Sequence, residues 1–138
     1  MAYGVGVLDI TLLSSGTSTS DQYKGVVATS SYKSGYFAIV AARGGKGTGV
    51  LQEASTEADV GLRVRVAGIT KVAAGDSSSM DVAITEGLHL VWSSKGQAVP
   101  TSSGGLFVAG QAFESLSTGS TGVITMLLAG VATLATAT

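Results

Sequence analysis

The stretch from Val60 to Ile69 leaves this chain little conformational choice. Leu62, Val64 and Val66 fall on one side of it, Arg63 and Arg65 on the other. That alternation is the period-two signature of a half-buried strand. Three more strand-like runs follow, at Leu88–Trp92, Leu106–Phe113 and Gly122–Leu128. Clusters of Gly, Ser and Asp between them read as turns. Apolar residues divided into short runs of this kind are buried by pairing strands, so the chain reads as all-β.

The earlier half fits the same pattern. Tyr23–Ser30 and Tyr36–Ala42 carry β-branched and aromatic residues around a Ser/Gly join, which predicts a hairpin. Arg43–Gly49 is a glycine-rich stretch expected to be a mobile loop. It lacks the spacing of a phosphate-binding loop: Gly47, not Ser or Thr, follows Lys46, and Val50 stands where a dinucleotide fingerprint needs glycine. Asp81–Gly87 has the make-up of one short helical turn ended by Gly87. Lys95-Gly96 is expected at the tip of a second hairpin, whose return strand ends at Pro100 because proline has no amide to donate.

At 138 residues the chain is one domain by length and large enough to hold a core. It has no cysteine and a single histidine, His89, so disulfides, thiolate metal sites and multi-histidine sites are ruled out. The formal charge is −1, without the basic stripe of a nucleic-acid binder. Charged residues make up only 12% of the chain, about half the usual share. Either other protein covers much of the surface, or Ser and Thr solvate it. The N-terminus lacks the basic segment of a signal peptide. The apolar run Val123–Ala135 is broken by Thr125, Gly130 and Thr133 and falls short of a membrane span.

Catalysis needs titratable groups brought together, and the supply is thin. His89 alternates with Leu88 and Leu90 and has no visible orienting partner. Glu53, Glu57 and Asp59 share one loop without the regular spacing of a calcium site, and read as a solvated face. No serine sits in a nucleophile elbow. The expectation is no catalytic residue, no cofactor and no metal. Arg63 and Arg65 share a strand face that is either solvated or meets carboxylates of a neighbouring subunit. Trp92, Phe107, Phe113 and Tyr36 read most simply as core.

Residues 1–22 differ from the rest. Gly4–Leu13 is apolar and partly alternating, and Ser14–Asp21 has the composition of a flexible linker. Two readings stay open: an extended arm that pairs outside its own domain, or a first strand followed by a long loop. On the arm reading the chain divides into 1–22 and a β-rich domain over 23–138. Tyr3, Val5, Val7, Leu8, Ile10 and Leu12 are then contact residues, together with Arg63 and Arg65.

From Gly49 onward the order of features resembles the capsid decoration (cement) proteins of tailed double-stranded DNA bacteriophages. The matching stretches are Gly49-Val50-Leu51-Gln52, the strand Val60–Val66 leading to Gly68, and Ala83-Ile84-Thr85-Glu86-Gly87. After these come Val91-Trp92 with its Lys95-Gly96 turn, then Val108–Ser115 and Gly119–Leu128. The resemblance implies a small β-barrel or β-tulip fold that assembles as a homotrimer. Such trimers bind the major capsid protein on the outer capsid surface of the virion, at three-fold and quasi-three-fold positions, and stabilise the shell. The chain would be made in the host cytoplasm, with no nucleic-acid or membrane partner. The alternatives are another virion β-protein, such as a tail-tube or fibre-associated subunit, and a carbohydrate-binding module.

Overall fold

The computed structural model describes residues 6–16, 19–29, 35–76, 82–100 and 106–134. Among the described residues ten strands build two closed five-stranded barrels. The first comprises β1 (Leu8–Ser14), β2 (Gly25–Thr29), β3 (Tyr36–Ile39), β4 (Gly49–Leu51) and β5 (Val60–Ala67). The second comprises β6 (Ile69–Ala74), β7 (His89–Trp92), β8 (Ala98–Pro100), β9 (Phe107–Ala112) and β10 (Gly122–Leu134). Among the described residues the helical content is one 3₁₀ turn, Thr19–Asp21, and no helix is long and apolar enough to cross a membrane.

The two barrels repeat one plan. In each, the first strand pairs antiparallel with the fifth and parallel with the third, and the second strand lies between the third and fourth. The hydrogen bonds repeat as well. Tyr23 N–H donates to Leu51 O (2.7 Å) and Leu51 N–H to Lys24 O (3.0 Å); in the second barrel Gly87 N–H donates to Ala112 O (2.8 Å) and Ala112 N–H to Leu88 O (2.9 Å). Gln52 N–H donates to Arg63 O and Phe113 N–H to Thr125 O, both at 2.9 Å. Arg63 N–H then reaches Glu53 Oε2 (3.4 Å), as Thr125 N–H reaches Glu114 Oε2 (2.9 Å). Tyr23 and Gly87, matched by these bonds, both have positive φ, at 68° and 84°.

The alternating run read as one strand is therefore the crossing between two barrels. Gly68, at φ 95°, separates β5 from β6. Left-handed backbone is cheap only for glycine, which lets the strand turn out of one sheet and enter the next. Leu62 and Val64 point into the first barrel and are buried, as the alternation predicts.

Each barrel encloses its own apolar residues, and a shared cluster joins them. Val26, Phe37, Leu51, Leu62 and Val64 fill the first. The larger cluster unites Val40 and Val50 of the first with Val72, Leu90, Trp92, Ile124 and Met126 of the second. Trp92, 2% exposed, is the pin of this joint. A Cβ on Gly25 would sit 2.5 Å from its Cδ2, and one on Gly47 would strike its indole nitrogen. The glycines thus bring two backbone segments of the first barrel flat against the ring. Gly44 N–H donates to Trp92 O and Gly25 N–H to Gly96 O, both at 2.8 Å.

Several expectations change in consequence. Residues Leu8–Ser14 are a barrel strand with full antiparallel pairing to β5, so the first-strand reading replaces the arm for these residues. An isolated apolar strand leaves its amides unpaired, and β5 supplies the partners. The Arg43–Gly49 stretch is packed against the fold: Gly44 lies against Leu106, Gly47 against Trp92, Gly49 opens β4, and Lys46 Nζ stands 5.1 Å from the centre of the Phe107 ring. At 82–87 there is no helical turn. Ile84 bridges to Leu116, and Thr85–Leu88 is a β-turn closed by Leu88 N–H to Thr85 O, for which Gly87 supplies the positive φ. The hairpins at β2–β3 and β7–β8 form as expected, the second with Gly96 at its tip and Pro100 as its last strand residue.

Candidate functional site

The start of β1 carries a strip of exposed apolar side chains. Val7 is 51% exposed, Leu8 57% and Ile10 36%, while Leu12 is half-buried. Ile10 lies across the ladder from Val64, which is fully buried, so it occupies a core-facing position at a rim left open among the described residues. Tyr3 and Val5 lie outside the described residues.

Asp9 interrupts the strip and is held by both arginines. Arg65 grips it bidentately, Nε to Oδ1 at 2.8 Å and Nη2 to Oδ2 at 3.2 Å, and Arg63 Nη1 lies 3.6 Å from Oδ2. Arg63 also reaches Glu53 at 3.2 Å, and Arg65 Nη1 donates to Ile69 O at 3.1 Å. The two arginines find their carboxylates within the chain, because the β1–β5 register sets Asp9 opposite Arg65. The hydrogen bond from Arg65 holds the Asp9 carboxyl below its ordinary 3.8; burial opposes this, and the charges of Arg65 and Arg63 reinforce it. The same hydrogen bond raises Arg65. A depressed carboxyl pKa stabilises the fold above the unfolded value, and the contribution is lost as pH falls through the folded one. Asp9→Asn is expected to cost about 1 kcal/mol at pH 7, and the difference from wild type should shrink as pH falls below 3.8 and through the lowered folded value. Urea melts of both proteins along a descending pH series measure this.

A second exposed feature lies on the second barrel. Phe113, expected in the core, is 43% exposed just beyond the end of β9. It borders an open groove of about 510 Å³ with Ile69, Glu86, Gly87, Gln111 and Thr125. Gln111 Nε2 donates to Gly87 O (3.0 Å), fixing one wall, and Glu114 is turned toward the Thr125 amide. The apolar run that holds Phe113 extends past the strand, which ends at Ala112.

The groups weighed for chemistry go to separate tasks. Glu53 binds Arg63, Asp59 accepts the Tyr36 hydroxyl, and His89 is exposed on β7 opposite Gln111. Among the described residues no three of His, Cys, Asp and Glu gather as a metal-binding set. The geometry offers apolar and hydrogen-bonding contact: a strip on one barrel and a groove on the other.

A phage structure shares this fold. Across 93% of the chain and 98% of the other, it is similar to the crystal structure of the head fibre gp8.5 N base of bacteriophage phi29, with a TM-score of 0.63 and 18% sequence identity. The likeness is one of fold and covers both barrels. No family model matches the sequence, and no curated protein is similar to it.

Proposed function

We propose that this chain is a structural protein of a tailed phage virion. It binds the major capsid protein on the outside of the shell as a homotrimer, at three-fold and quasi-three-fold positions, and stabilises the capsid. The observation that carries this reading is the double-barrel fold shared, over nearly its whole length, with the base of a phage head fibre. The low charge and the bare apolar strip of Val7, Leu8 and Ile10 support a surface made for protein contact and not for catalysis. Contacts to several capsid subunits at once need not be strong singly, since a trimer gains avidity of roughly 10²–10⁴ over one site.

The purified protein mixed with empty expanded capsids is expected to co-sediment in a fixed ratio of three chains per site. Capsids carrying the protein should then withstand heating that opens bare ones. Failure to bind expanded capsids overturns the reading. The likeness to a fibre base favours a second reading, in which the two barrels anchor a fibre. Electron microscopy of loaded virions separates the two, as short knobs or as filaments.

A further inference from the structure

Because the two barrels share one plan, each surface of one has a counterpart on the other. Matching Arg63 to Thr125 through their glutamate bonds sets Val64 with Met126 and, across the ladder, Ile10 with Thr70. The same bonds match Gln52 with Phe113 and Tyr23 with Gly87. Within one chain, the first barrel's socket of Tyr23, Val50 and Gln52 is filled by β6. Gln52 Nε2 donates to Thr70 Oγ1 at 2.9 Å, Ala73 N–H donates to Tyr23 O at 2.8 Å, and Val50 and Val72 belong to one core cluster. Thr70 is consequently 2% exposed.

The matching socket on the second barrel is the groove beside Phe113, and β6's counterpart, β1, has its strip exposed among the described residues. The pair that is Gln52–Thr70 inside the chain is Phe113–Ile10 at the unfilled joint. A polar contact is replaced by an aromatic and an aliphatic side chain, both exposed. We infer that β1 of one copy docks in the Phe113 groove of the next, so that the joint between the barrels of one chain is repeated between chains, head to tail. Leu13 N–H is already accepted by Gly35 O at 2.8 Å, so the contact rests on side chains, with Ile10 against Phe113 and Val7 and Leu8 along the groove. A heterologous contact of this kind closes into a ring when the rotation permits. The inference rests on the homotrimer proposed above, for which it names the joint.

The chain has no cysteine, so an introduced pair reports alone. Ile10→Cys/Phe113→Cys is expected to form intermolecular disulfides with diamide, giving covalent species up to three chains on a reducing-agent-free gel. Neither single variant should form that ladder. A disulfide requires Cα atoms about 4.4–6.8 Å apart, so its formation places the two residues side by side. In parallel, Phe113→Ser should drop the solution mass from three chains to one of 13.7 kDa, with its far-ultraviolet spectrum unchanged. A trimer that neither cross-links at 10–113 nor dissociates with Phe113→Ser overturns this joint and leaves the trimer standing. A wild type that is monomeric at all concentrations overturns it too. A cross-linking trimer that ignores capsids upholds the joint and removes the capsid role.

Discussion

Trp92→Ala is expected to lower the unfolding free energy by about 3–5 kcal/mol, the usual loss for truncating a fully buried tryptophan. Domains of this kind have total stabilities of about 5–15 kcal/mol, so the loss removes at least about a fifth of the total. The size of the effect follows from where the ring lies. It belongs to β7 of the second barrel, yet Gly25 and Gly47 of the first press on it, and its backbone oxygen accepts the Gly44 amide. Removing it opens a cavity on both sides of the joint, and the surrounding strands, fixed by their ladders, cannot collapse into it. The matching clash points the other way. Gly25→Ala places a Cβ 2.5 Å from Trp92 Cδ2 and should destabilise by overpacking, by about 1–3 kcal/mol. If the contact is as described, Gly25→Ala should cost less in a Trp92→Ala background than alone. Chemical denaturation of the four proteins of this cycle measures that coupling. Equal costs in both backgrounds would show that the ring and the glycine do not meet.

How much of this was legible in the sequence depends on which signal carried it. The strands were legible because period-two alternation is local. Leu62 and Val64 on one face and Arg63 and Arg65 on the other needed no knowledge of the rest of the chain. The break at Gly68 was not, since one glycine in an alternating run reads as part of the strand until its φ is known. The doubling of the barrel was also hidden. Many matched positions are occupied by unlike residues, as Gln52 with Phe113 and Tyr23 with Gly87, because what repeats is chiefly backbone hydrogen bonding, which side-chain identity does not encode. The shared traces are Val66-Ala67-Gly68-Ile69 against Leu128-Ala129-Gly130-Val131, Gly49 against Gly110 and Glu53 against Glu114, and a search for internal repeats begins there. Of the residues proposed for the joint, Val7, Leu8 and Ile10 stand out in the sequence as apolar residues of an arm, and they are exposed for a different reason, at the open rim of a barrel strand. Phe113 was missed because an aromatic at the end of an apolar run is ordinarily core.

The doubled plan makes its own prediction at Gly49 and Gly110. A Cβ on Gly49 would run into the carbonyl oxygen of Arg65, and one on Gly110 into that of Leu127. The β4–β5 and β9–β10 ladders place these two carbonyls at matching points of the two barrels. The obstacle is backbone in both cases, so it cannot rotate away as a side chain would. Gly49→Ala and Gly110→Ala are each expected to cost at least about 1–3 kcal/mol. The more informative quantity is the shape of the melt. A barrel of about sixty residues alone buries only about 60% of its unfolded surface and is marginal, and these two share the cluster around Trp92. Either substitution should therefore shift one common cooperative transition, seen alike by Trp92 fluorescence and by far-ultraviolet dichroism, and the double variant should lose roughly the sum. If instead Gly49→Ala split the melt, with the second barrel surviving while the first unfolded, the barrels would be independent units, and the joint around Trp92 would contribute less than its burial implies. A single transition makes the first barrel's stability part of the second's, because the cluster around Trp92 belongs to both.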